Sequence, residues 1–172
     1  RAIGMGADKM KASGVTGLAD YVADPALLDS IFDLGFRSVL FLETIGFQEE
    51  KAEAVAEEVE AILKNHESNC NIGIAPHAPY SVSAKLWQRL DQLAKKYGCL
   101  LSTHLAETDE EIQFIEKGRG PLVDLLKDRQ VFDMNWRVPG MTPARYLKSM
   151  NVLSGTVAVH CNFIDYDIDT VQ

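Results

Sequence analysis

The sequence predicts an α/β protein built on a parallel β-sheet, and two observations carry that reading. Short apolar runs alternate along the chain with longer segments whose apolar residues recur at helical spacing. Some of those runs, such as Phe36-Arg37-Ser38-Val39-Leu40-Phe41-Leu42, are nearly continuous rather than alternating, as in strands covered on both faces. A third observation bears on function. His77, His104 and His160 each end one of three successive predicted strands, and strand C-termini are where α/β folds collect chemistry.

Arg1 to Ser13 reads as the tail of a helix, with Gly14 as its stop. Val15 to Val22 is a short strand. Pro25 opens a helix through Leu34, with Asp24 as N-cap and Leu27, Leu28, Ile31 and Phe32 at helical spacing. Phe36 to Leu42 is the second strand, with Glu43 and Thr44 at its end. Glu50 to Asn65 is an amphipathic helix that turns Val55, Val59, Ile62 and Leu63 inward. Asn71 to Ala75 is the third strand and runs into Pro76-His77-Ala78-Pro79-Tyr80, where two prolines fix the backbone around His77. Ser83 caps a helix to Tyr97, stopped by Gly98.

The fourth strand grows from Cys99-Leu100-Leu101 into Ser102-Thr103-His104-Leu105-Ala106-Glu107. A helix from Thr108 to Lys117 leads out of it. Pro121 to Lys127 is a further short helix, Asp128 to Met141 is irregular, and Thr142-Pro143 opens a helix through Met150. Thr156 to Cys161 is the last strand. Strand and helix thus alternate four times before a final strand, as in successive βα units. Such alternation allows a barrel or an open doubly wound sheet, and the absence of a GxGxxG or P-loop motif weakens the nucleotide-binding open sheet.

The 172 residues are enough for one domain with a sizeable core. A net charge of −8 argues against nucleic acid or an anionic membrane as partner. No apolar run reaches the roughly 20 residues of a membrane span, and the first residues do not read as a signal peptide. Cys70, Cys99 and Cys161 lie far apart, each in or beside an apolar run. They read as buried, reduced thiols of a cytoplasmic protein, without the spacing of a cysteine-ligated zinc. The chain begins inside an apparent helix and ends, at Asp167 to Gln172, in what resembles the first turn of another. The expectation is therefore an internal piece of a longer protein.

His104 and Glu107 at a strand end suit a metal ligand and a proton carrier. If the sheet curls into a barrel, His77, His104 and His160 open onto one face and converge. The bland alternatives are that each histidine is a satisfied loop residue, and that Glu107 is a helix N-terminal acid favoured by the dipole. Glu43 is either a wall of the site mouth or a solvated acid. Tyr80 and Trp136 could stack on a substrate base, the core reading being preferred for Trp136. Arg37 precedes its strand and belongs on the opposite face of the sheet. His66, in a helix tail near Lys64 and Glu67, is given no role.

Pro76-His77-Ala78-Pro79-Tyr80-Ser81, then Thr103-His104-Leu105-Ala106-Glu107, then Val159-His160-Cys161 resembles the metal-dependent amidohydrolase superfamily. The resemblance is to its chlorohydrolase and aminohydrolase branch, which holds adenosine-type and aminodeoxyfutalosine deaminases. It extends from about residue 8 to the end. Gly118 to Leu147 also resembles the aminofutalosine-type members. The resemblance implies a partial TIM (β/α)8 barrel whose five strands correspond to the second through sixth of eight, in a single incomplete domain, 1–172. The family's HxH strand, its last two strands and its β-sandwich are absent.

By the same resemblance His104 is a metal ligand and Glu107 carries protons and contacts substrate. His160 is catalytic, bonding the attacking water or the developing oxyanion, and His77 contacts the substrate. The cofactor implied is one divalent metal, zinc first, with iron or manganese as alternatives, held weakly or not at all because three of four usual ligands are missing. The reaction implied is hydrolytic deamination or dechlorination of a nitrogen heterocycle, with a purine-nucleoside-like small molecule as substrate. The rival reading is a folded module without activity. Five strands cannot close a barrel, so a homo-oligomer joined at the sheet edges or open side is expected.

Overall fold

The computed structural model of the chain describes residues 2–66, 71–164 and 169. Its elements run α1 (Ala2–Ala12), β1 (Gly17–Val22), a 3-10 turn (Pro25–Leu27), α2 (Leu28–Phe32), β2 (Arg37–Thr44), a 3-10 turn (Glu49–Lys51) and α3 (Ala52–Asn65). They continue with β3 (Ile72–Pro76), α4 (Ala84–Tyr97), β4 (Leu101–Leu105), α5 (Asp109–Lys117), α6 (Pro121–Asp128), α7 (Pro143–Ser149) and β5 (Thr156–His160). The expected helix from Pro25 splits into a 3-10 turn and one short α-turn. Asp24 accepts from the Ala26 N–H at 3.0 Å, as its reading as N-cap requires. Glu43 and Thr44 lie within β2 rather than beyond it.

The five strands form one sheet in the order β1-β2-β3-β4-β5, every neighbouring pair parallel. This order decides between the two architectures left open above. Parallel crossovers are right-handed, so strands added always on the same side place every connecting helix on the same face. An open doubly wound sheet reverses its order and has helices on both faces. The sheet is accordingly a curled half-barrel, part of a TIM barrel.

The two faces differ in chemistry. Leu40, Leu42, Ile72, Ile74, Leu101 and Leu105 point outward and pack with Val59, Leu63, Leu86, Leu90 and Leu147 of α3, α4 and α7 in one core. Register places Ser102 beside Val157 and His104 beside Val159, so these four share the inner face. Phe41 stacks there on Tyr21, which in turn lies against His104. Gly73 is required at this point, since a Cβ there would sit 2.4 Å from the Phe41 ring. On the inner face Val157 is 49% exposed, whereas the outward Leu101 is 5% exposed.

A second cluster joins Phe47, Phe114, Ile115 and Leu126, with Phe132 and Trp136 against it. It anchors the irregular segment after α6. Cys99 and Cys161 are half-buried rather than buried, because they flank β4 and β5 rather than lie inside them. Cys70 and nearly all of the expected terminal helix turn lie outside the described residues. No helix of the described residues is long and apolar enough to cross a membrane.

Candidate active site at the strand ends

His77, His104 and His160 stand at the C-terminal ends of β3, β4 and β5. Parallel strands point all three ends the same way, and the rings of His77 and His160 each lie 5.1 Å from that of His104. The Tyr21 ring is 5.2 Å from His104 on the β1 side. Backbone bonds tie the strand ends together. His104 N–H donates to the His77 carbonyl at 2.9 Å, and Cys161 N–H donates to Leu105 at 2.9 Å.

Each side chain is aimed by a partner. The Ser81 hydroxyl donates to the Ala78 carbonyl at 3.2 Å, so its oxygen is free to accept from His77 Nδ1–H at 2.7 Å. That tautomer leaves His77 Nε2 with its lone pair unused by Ser81. Burial holds the His77 imidazole below its ordinary pKa, against the opposing pull of Glu43 and Glu107. Tyr80 meets the His77 ring edge-on at 5.8 Å, and burial raises its phenol. Tyr21 Oη lies 2.6 Å from Ser102 Oγ, which itself donates to the Val157 carbonyl at 3.2 Å.

Glu107 follows β4 on a turn that begins at Ala106, whose φ is +49°. Its Oε1 is 3.4 Å from His160 Nε2. Asn162 Nδ2 donates to the Glu107 carbonyl at 3.1 Å. Both oxygens of Glu111 accept from this turn, from Ala106 N–H and Glu107 N–H at 3.0 Å each. Glu111 is 1% exposed, and burial pushes its carboxyl up to about 7 despite those two bonds. His160 and Cys161 also hold left-handed backbone, with φ of +71° and +54°. Non-glycine residues held there carry strain, and such strain gathers at functional sites.

Among the described residues, His104 belongs to two groups of three donors, Glu43–His77–His104 and His104–Glu107–His160. Within each group the ligand atoms lie within 4.8 Å of one another. His104 Nδ1 is buried and has no hydrogen-bond partner. Imidazole nitrogens with one carboxylate suit zinc and other first-row divalent ions, so the donor set fits such an ion.

The remaining candidates fall where the structure puts them. Glu43 joins the first donor group rather than facing away. Arg37 opens β2 at the opposite end of the sheet and is exposed. Trp136 packs on Phe114 at 4.5 Å in the second core, apart from the histidines. His66 caps α3, with Nδ1 on the Ile62 carbonyl and Nε2 3.4 Å from Asp29. Sequence reading missed Tyr21, Ser81, Glu111 and Asn162. Of these only Glu111 left a local signal, the Thr108-x-x-Glu111 spacing of a capping box.

A half-barrel of parallel strands with imidazoles and a carboxylate at its strand ends is the frame of a (β/α)-barrel hydrolase. Residues 3–163 match the amidohydrolase family, and the chain belongs to it. It is 30% identical over 162 residues to the aminodeoxyfutalosine deaminase of Deinococcus radiodurans, covering 87% of this chain and 38% of that protein. The crystal structure of Helicobacter pylori aminofutalosine deaminase superposes with a TM-score of 0.80 at 26% identity, over 99% of this chain and 43% of that one. An adenosine deaminase from Xanthomonas campestris, solved with bound zinc, shares the fold. Its TM-score is 0.63 at 20% identity, over 92% of this chain and 34% of its own. The chain thus spans less than half the length of each of these relatives.

Proposed function

We propose that this chain is part of a metal-dependent deaminase that hydrolyses the exocyclic C–N bond of a purine-nucleoside-like substrate. Its five strands take the second to sixth places of an eight-stranded barrel. The observation that carries this reading is the gathering of His77, His104, Glu107 and His160 on one strand-end surface in a member of a C–N hydrolase family. Similarity to an aminodeoxyfutalosine deaminase and to 5′-deoxyadenosine deaminases supports an adenosine-like substrate altered at the 5′ carbon of its sugar.

In this reading His104 is a ligand of the ion. A divalent ion such as zinc, when bound, lowers the pKa of a coordinated water from about 15.7 to about 7. Glu107 takes the two protons of the attacking water in turn, delivering the first to the ring nitrogen and the second to the departing amine. The carbon gains oxygen and loses nitrogen, so water is consumed and ammonia released. His160, 3.4 Å from Glu107, hydrogen-bonds the oxygen on which charge develops. His77 presents Nε2 to the substrate.

The test follows the loss of aminopurine absorbance and the release of ammonia, with zinc or manganese, over a panel of 5′-modified adenosines. Both this chain and the longer protein that contains the missing strands are assayed. Turnover by the longer protein that E107Q abolishes supports the reading. A longer protein that binds metal and turns over no aminopurine overturns it. The open, two-edged sheet favours a second reading for the 172 residues alone, a folded module without activity. Turnover by the isolated chain would exclude that.

A further inference from the structure

We propose that Glu111 is a positioning residue for Glu107, a buried carboxylate that clamps the turn after β4 and so fixes the Glu107 side chain against His160. The inference rests on the reading of Glu107 as the proton carrier, but its geometry stands independently.

The turn is one that the chain would not hold unaided. Ala106 sits in the left-handed region, where a Cβ crowds the following carbonyl, and no glycine relieves it. The consequence of that conformation is that two successive N–H groups, of Ala106 and Glu107, converge on the same side. Converging backbone N–H groups make a nest for an anion. Glu111 fills it, one carboxylate oxygen to each donor at 3.0 Å.

This is more than a helix cap. In a capping box the carboxylate returns to the N–H of the capping residue itself. Here Thr108 caps α5 by accepting from Glu111 N–H at 3.3 Å, while the Glu111 carboxylate reaches past it to the two residues before. Glu111 is buried, and among the described residues no cation pairs with it. Burying an unpaired carboxylate is costly, and the bonds it makes are all directed at this one turn.

The other side of the turn is held from the loop after β5. Phe163 N–H donates to the Ala106 carbonyl at 3.0 Å, and Asn162 donates to the Glu107 carbonyl at 3.1 Å. With its N–H fixed by Glu111 and its carbonyl by Asn162, Glu107 has only its side chain free. That side chain meets His160 Nε2 at 3.4 Å.

The experiment compares wild type, E111Q, E111D and the cap control T108A by NMR at a single pH. Amide exchange reports the clamp, and ring-nitrogen shifts of His160 report the position of Glu107. In E111Q, exchange at the Ala106 and Glu107 amides rises about ten- to a hundredfold, the range expected for bonds to a charged group. The His160 ring signals move as well. E111D, one methylene shorter, falls between E111Q and wild type. T108A loosens the same helix end but leaves the His160 ring signals in place. If E111Q does not fold, the substitution is repeated in an A106G background, where glycine adopts the turn without strain. Unchanged His160 signals in folded E111Q, or an equal shift in T108A, overturn the proposal. Turnover that survives in E107Q of the longer protein, with the Glu111 series behaving as expected, would overturn the proton-carrier reading and leave the clamp standing.

Discussion

His104 lies 5.1 to 5.2 Å, ring to ring, from Tyr21, His77 and His160, so one imidazole is shared by every candidate grouping at the strand ends. That sharing limits metal binding. An ion can draw on one donor group of three or the other, with His104 common to both. The reading proposed above uses Glu107 for protons and His77 and His160 for substrate and water, which leaves His104 as the one dedicated ligand, whereas structural and catalytic zinc sites commit three or four. Zinc titrated into the 172-residue chain and followed by calorimetry should therefore bind weakly and be stripped readily by a chelator, and H104A should remove what binding there is. Stoichiometric zinc that survives the chelator would overturn that expectation. The three histidines could be read from sequence because a polar residue ending an apolar run stands out locally. Tyr21 could not, because its contact with Ser102 spans 81 residues. Ser81 and Asn162 act through single bonds to other parts of the site, and nothing in their neighbours announces those bonds.

Among the helices, α3 and α4 lie side by side on the outside of the sheet, and Glu60 joins them. Its carboxylate accepts from Lys96 at 2.5 Å and from Tyr97 at 3.0 Å, with Lys64 at 3.5 Å. The bond from Lys96, then that from Tyr97, lowers the Glu60 pKa from 4.5 to about 2. A carboxyl whose folded pKa is depressed binds fewer protons in the folded state than in the unfolded one. Its contribution is present above about pH 4.5 and is lost as pH falls toward 2. Melting temperature measured across that window should fall more steeply for wild type than for E60Q. Equal slopes would show that the join contributes nothing measurable. Existence and type of these helices were legible from apolar spacing. The split after Pro25 was not, because Asp24 and Pro25 signal where a helix starts but not whether its first turn is 3-10 or α.

Taken whole, the described residues form a sheet with two edges unpaired among them. β1 and β5 each have one neighbour, and the inner face carries the exposed Val157 beside Val159. Unpaired edges and apolar inner faces favour pairing with a second copy, as proposed for the chain on sequence grounds. Sedimentation should show a dimer or larger species at micromolar concentration, and a stable monomer with a cooperative melt would exclude it. The alternation of elements made the parallel sheet legible. Its curl into a half-barrel was not set by alternation, since βα units serve open sheets equally well. Family resemblance supplied the barrel, and the sequential strand order then established it.

That strand order also has a kinetic side. Each strand pairs with the one before it in the chain, so most of the sheet can grow one βα unit at a time as segments become available. The longest step is to β5, whose Val157 meets Ser102, 55 positions earlier in the chain, across helices and a loop. Closing the longest span costs the most loop entropy, so β5, which carries His160 and leads to Asn162 and its bond to Glu107, is expected to pair last. The strand-end cluster is therefore assembled last, on a sheet already formed. Pulse-labelling hydrogen exchange during refolding should find amides of β2 and β3 protected before those of β5, and simultaneous protection would refute this order.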